Sequence, residues 1–139
     1  MAAPNSVYRK FLKYLLPVLL WAGLIFLVSS IPGSDIPPLF AYQDVVFHIF
    51  EYVVFGLLII RALKSYYPIL NITRCIYLTF LVCLIYAIGD EFHQSFIPYR
   101  EATIVDVCFD SLGSAIGIWF WFSKVYNRFL ATIKKVRIE

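Results

Sequence analysis

Charge is scarce in this chain: Asp, Glu, Lys and Arg together make up 15% of its 139 residues. An ordinary soluble domain carries about a quarter, so a water-facing surface of normal composition is excluded. The 12 basic residues form no long stripe with interleaved exposed aromatics, which speaks against a nucleic-acid partner. Cysteine is sparse too. Cys75, Cys83 and Cys108 are odd in number, so they close no disulfide framework, and no C-x-x-C pair offers thiolates to a metal. Cys75 and Cys83 lie two turns apart on one helix, about 12 Å of rise and too far to bridge. All three read as small apolar packing residues. Neither an HExxH metal motif nor a nucleophile elbow around a serine is present.

What remains is apolar: 61% of residues are hydrophobic and 19% aromatic. Four apolar runs are each long enough, or nearly so, to cross a bilayer as a helix. The first is Phe11 to Val28, with Pro17 inside it, where a membrane helix tolerates a kink. A cleaved signal peptide is the rival reading. The run is longer than a usual signal core, however, and Ile31-Pro32 follows directly. The second run is Asp44 to Leu63. The third is Cys75 to Gly89, nearer the usual length if it starts at Ile72, and the fourth is Ile104 to about Phe122. Ser30 to Gln43, with three prolines, and Asp90 to Thr103 read as loops. The expected architecture is an all-α membrane protein, a four-transmembrane-helix bundle. Residues 1–10 form a polar N-terminal segment, 11–122 the membrane domain and 123–139 a basic tail whose spacing suits a helix along the membrane surface.

The positive charges set the expected orientation. With both termini cytoplasmic, every Lys and Arg except Arg100 falls on the inner side. Every acid except Glu139 then falls in the outer loops or the outer halves of the spans. The acids do not determine topology, but they give the outer face a task.

Charges beside or inside lipid are costly and mark functional candidates. Asp44, His48, Glu51 and Tyr52 fall at i, i+4, i+7 and i+8 on one face of the second span. Glu51 lies about 10 Å below Asp44, where a carboxylate needs a partner or a proton. Asp106, Asp110, Gly113 and Gly117 share a face of the fourth span, and Gly113-x-x-x-Gly117 permits close helix approach. Asp90, Glu91, His93, Gln94 and Arg100 lie between these spans. The expected ligand-binding set is Asp44, His48, Tyr52, Asp90, Glu91, His93, Gln94, Arg100, Asp106 and Asp110. Glu91, His48 and Glu51 are the candidates for acid or base catalysis. Asp44 and Asp106 equally suit N-caps or dipole partners, His48 a packed histidine bonded to Tyr52 or a carboxylate, and Arg100 the neutralisation of one or two carboxylates. A metal on His48 with Glu51, or on His93 with Glu91, lacks a defining spacing, and no metal or other cofactor is expected.

These residues resemble the VanZ family of small bacterial membrane proteins. Asp44, His48, Tyr52 and Gly56 are similar to its D-K-x-x-H-x-x-x-Y-x-x-x-G segment. Glu91-x-His93-Gln94, Pro98-x-Arg100, Asp106, Gly113 and Gly117 match more specifically, and the likeness covers roughly residues 15 to 122. Val45 stands where the family has lysine and Asp110 where it usually has asparagine, so this site is more acidic than the pattern. The family is named for a protein giving low-level resistance to teicoplanin, a lipid-tailed glycopeptide. The resemblance implies a multi-pass bacterial cell-membrane protein whose partners are membrane lipids and an amphiphilic or lipid-linked envelope ligand. Two functions follow as expectations: binding such a ligand at the outer leaflet, or a small membrane-embedded enzyme acting on a lipid or lipid-linked substrate.

Overall fold

The structure, a computed structural model, describes residues 4–136, with side chains described for residues 7–127. Helices account for most of it: α1 (Pro4–Lys10), α2 (Leu16–Ser29), α3 (Gln43–Tyr66), α4 (Ile72–Gln94) and α5 (Ile104–Val136). Four helical stretches have the length and apolar composition to cross a membrane: Val7–Ser29, Gln43–Tyr66, Ile72–Gln94 and Ile104–Asn127. Their outward faces carry Leu20, Leu27, Ile85 and Trp119, each at least 60% exposed. So continuous an apolar surface is untenable in water and ordinary against lipid.

Pro17 shapes the first span. It lacks an N–H, and its ring crowds the carbonyl four residues back, so Phe11–Leu15 widens into a π turn in which the Leu16 amide bonds to the Phe11 carbonyl. The Lys13 carbonyl, four residues before Pro17, accepts a hydrogen bond from Arg61 Nη2 of α3 at 3.0 Å. Lys10 meanwhile lies over the Tyr66 ring, 4.9 Å from its centroid. A break in one helix is thus closed by its neighbour.

The tightest pairing is between α3 and α5, and glycine explains it. A Cβ at Gly113 would collide with the Ile49 carbonyl, one at Gly117 with the Val53 carbonyl, and one at Gly56 would lie 2.8 Å from the Ser114 carbonyl. The two backbones therefore touch where side chains would normally keep them apart. Trp21 and Tyr86 tie α2 into the bundle, donating to the carbonyls of Glu51 (2.9 Å) and Ala22 (2.6 Å). Ile25, Tyr52, Phe55, Ile59, Cys83 and Ala87 fill the centre.

Several boundaries differ from the sequence reading. The third span does not end at Gly89: α4 continues through Asp90, Glu91, His93 and Gln94, because most of those polar groups meet partners on neighbouring elements instead of leaving for solvent. The fourth helix does not stop near Phe122 but runs unbroken to Val136. The polar start is helical from Pro4. Residues 1–3 and 137–139, including the basic Arg137 of the tail, lie outside the described residues. Cys75 and Cys83 are buried as expected, whereas Cys108 is exposed. It stands two residues from Asp106, on the opposite side of α5 from the face that packs on α3.

Candidate functional site

The end of the bundle formed by the C-termini of α2 and α4 and the N-termini of α3 and α5 gathers the polar residues. Helix ends leave backbone groups unsatisfied, and side chains here supply the partners. Thr103 caps α5: its Oγ1 accepts from the Asp106 amide (3.2 Å) and donates to Asp106 Oδ2 (2.7 Å). The Thr103 amide in turn donates to Glu91 Oε2 at 2.9 Å. Asp106 is therefore not the N-cap but sits three residues inside it, and Glu91 of α4 accepts the backbone N–H that an acid three residues inside commonly takes in a capping box. Asp44 is not an N-cap either. Tyr42, with a left-handed φ of 61°, precedes α3, and Asp44 lies exposed in the first turn, where a negative charge suits the helix dipole.

Arg100 overturns its expected pairing with carboxylates. Its Nη2 donates to the Val28 carbonyl (2.9 Å) and its Nε to the Ile31 carbonyl (3.1 Å). Both carbonyls lie at the C-terminal, negative end of α2, which favours a cation, and no carboxylate forms an ion pair with Arg100 among the described residues. The loop carrying Arg100 is docked through Gly33, whose amide donates to the Pro98 carbonyl (3.0 Å). A Cβ at Gly33 would strike the Tyr99 carbonyl.

Beneath lies a buried layer. His48 Nδ1 and Asp110 Oδ1 are 2.9 Å apart, Asp110 fully inaccessible, and no other ion pair occurs among the described residues. Of the two partners open to His48, the carboxylate is the one it takes, while the Tyr52 hydroxyl is buried without a hydrogen bond. Asp90 Oδ2 accepts from Ser29 Oγ (2.7 Å) and Gln94 Nε2 (3.0 Å). One oxygen of each carboxylate, Asp90 Oδ1, Glu91 Oε1 and Asp110 Oδ2, is buried with no partner.

Two adjoining cavities open onto this layer. One, of about 490 Å³, is lined by Gln43, Asp44, His48, Thr103 and Asp106 among others. The other, of about 270 Å³, is walled by Val28, Ile31, Pro37, Leu39 and Phe47, with Glu51 facing it. Both share Ile36, Asp44, His48, Gln94 and Arg100.

The fold thus brings Asp44, His48, Gln94, Arg100 and Asp106 to the cavity walls, with Glu91 and Asp110 packed beside His48. His93 goes elsewhere. It stacks on Phe26, with ring centroids 4.5 Å apart, and meets Ser30 Oγ at 3.0 Å. The Ser30 proton is given to the Phe26 carbonyl, so His93 Nε2 carries the hydrogen and donates to Ser30. Tyr52 is in the core, at 0% exposure. Ser29 and Thr103 were missed by the sequence reading. Thr103 had a signal, Thr-x-x-Asp at the start of an apolar run; Ser29 had none. Nor did spacing suggest a grouping of His48 with Glu91 and Asp110, which contribute one donor atom each within 4.8 Å of one another.

Searches of curated proteins and of solved structures return no match to this chain. The VanZ/LLP1 family model matches residues 14–127, which takes in most of the first span, the other three spans and every residue of the site, and the chain belongs to that family.

Proposed function

We propose that this chain is a bacterial cell-membrane protein, with both termini cytoplasmic, whose outward-facing site binds an amphiphile: an envelope lipid, a lipid-linked intermediate or a lipoglycopeptide such as teicoplanin. The observation that carries this reading is the pair of cavities meeting at His48, Gln94 and Arg100. The larger is polar and suits a headgroup. The smaller has an apolar wall of Val28, Ile31, Ile36, Pro37, Leu39 and Phe47 facing its polar side chains, and that wall suits the first carbons of a chain. The orientation rests on the basic residues Arg9, Lys10, Lys13, Arg61, Lys64 and Arg74, all of which lie toward the end of the bundle away from the site.

A second reading, catalysis on a lipid or lipid-linked substrate, is favoured by one feature. His48 is oriented by a buried carboxylate, and Glu91 lies beside the pair, the arrangement of a base with its orienting group. Glu91, His48 and Glu51 would be its acid and base residues.

One experiment separates the two. Deletion, wild-type and Glu91→Gln strains are compared by lipidomics at matched protein level, with teicoplanin sensitivity measured on the same cultures. For a binding protein, lipid species co-purify with the wild-type chain, bulk lipids stay unchanged and sensitivity shifts in the deletion. If a lipid or lipid-linked species accumulates in both the deletion and Glu91→Gln strains, the binding reading gives way to the enzyme. If nothing co-purifies and neither lipids nor sensitivity move, both fail.

A further inference from the structure

His48, Glu91 and Asp110 reach one point from three helices, α3, α4 and α5. Each carboxylate is anchored by one oxygen and leaves the other without a partner. Glu91 Oε2 accepts the Thr103 amide, and Glu91 Oε1 has nothing. Asp110 Oδ1 meets His48, and Asp110 Oδ2 has nothing. Both residues are more than nine-tenths buried, Glu91 at 7% and Asp110 at 0% exposure. Buried polar atoms are ordinarily hydrogen-bonded, and buried charges are paired or bind metal. No Lys or Arg side chain pairs with either acid among the described residues, since Arg100 is engaged with carbonyls.

We propose that His48, Glu91 and Asp110 form a binding site for a divalent transition-metal cation of the Zn²⁺ or Mn²⁺ class. One imidazole nitrogen with two carboxylate oxygens is a mixed donor set. The absence of thiolate disfavours Cu⁺ and iron–sulfur clusters, and the imidazole disfavours Mg²⁺ and Ca²⁺, which take oxygen. Donors bound at ~2.0–2.2 Å to one ion lie at most about 4.4 Å apart. Around a tetrahedral ion the separation falls to about 3.3–3.6 Å, so closure from within 4.8 Å takes side-chain movements on the order of 1 Å. A dication would balance the two carboxylates in a setting where net charge is costly. His48 also lines both cavities, so one residue of the site borders the place where a ligand would enter. The Thr103 amide fixes the Glu91 carboxylate in the manner of an outer partner that orients a metal ligand. This site does not rest on the cavities binding an amphiphile.

The test uses the full-length chain in detergent micelles, equilibrated with Zn²⁺ or Mn²⁺, freed of excess ion and assayed for metal by mass spectrometry. We expect about one ion per chain, a rise in unfolding temperature on loading, and at least tenfold weaker binding in Glu91→Gln and in Asp110→Asn, with the temperature rise lost. Both substitutions keep side-chain shape, and melting without metal checks that each variant folds. Electron paramagnetic resonance of the Mn²⁺-loaded wild type needs no variant and should show coupling to a ring nitrogen. The proposal is overturned if neither ion is retained or if the nitrogen coupling is absent. Retention undiminished in a variant carrying both Glu91→Gln and Asp110→Asn, or lost instead on Asp44→Asn, would overturn it as well.

Discussion

Two chemically identical substitutions should have opposite effects in this protein. At Gly117, alanine places a methyl against the Val53 carbonyl oxygen and 3.0 Å from both the Val53 carbonyl carbon and the Leu57 nitrogen. All three are α3 backbone atoms, which cannot rotate aside as a side chain would. Either α3 and α5 separate or the helix bends, and overpacking of this kind costs about 1–3 kcal/mol. At Gly23, the same methyl meets nothing within 4 Å. There the helical preference of alanine over glycine acts alone and stabilises by roughly 0.5–1 kcal/mol. The preference also acts at Gly117 and offsets part of the clash, so the net loss there is about 0.5–2 kcal/mol, and the two variants should differ by roughly 1–3 kcal/mol. Equilibrium unfolding in mixed micelles of mild detergent and dodecyl sulfate measures both against wild type. Gly89→Ala, also free of neighbours within 4 Å, should track Gly23→Ala. If Gly117→Ala is as stable as Gly23→Ala, then α3 and α5 do not approach along this face, and the alignment of His48 with Asp110 loses its basis.

Other expectations follow from single contacts. Arg100→Ala removes two charge-assisted bonds to the end of α2, a loss of about 1–3 kcal/mol, and Arg100→Lys should recover only part because an ammonium has no fork; thermal unfolding reads both. Thr103→Val loses the α5 cap at about 0.5–2 kcal/mol, with amide exchange accelerating in the first turn of α5 and Thr103→Ser restoring protection. In detergent, N-ethylmaleimide should modify Cys108 first, leaving the buried Cys75 and Cys83 until the protein unfolds; intact-protein mass spectrometry with peptide mapping checks the order, and early labelling of Cys83 would refute the packing of α4.

The spans were legible because hydrophobic length is a one-dimensional property, and the glycines of α5 because they continue the face that carries Asp110. The end of α4 was not. Asp90, Glu91 and Gln94 look like loop residues in sequence, and only Ser29 and Thr103, brought in from other elements, explain why they remain helical. The partner of His48 was equally hidden. Several acids could have met it, and Asp110 is 62 residues away, a separation that carries no local signal. Arg100 misled for a different reason. A lone cation among acids invites pairing, but the freed carbonyls of a helix end are invisible until that end is located. Charge can be counted in a sequence, whereas unsatisfied backbone cannot.

The π turn before Pro17 shifts the rotational phase of the first span. An extra residue in a turn advances everything on its N-terminal side by about 100° around the axis. A helical wheel drawn straight through Phe11–Leu15 therefore assigns Arg9 and Lys10 to the wrong sector. With the offset included, Lys10 reaches the Tyr66 ring, and the short basic start and the uniformly apolar Leu16–Ser29 segment are out of phase. Replacing Pro17 would do more than straighten a helix: it would swing the basic start of the chain by roughly a quarter of a circle.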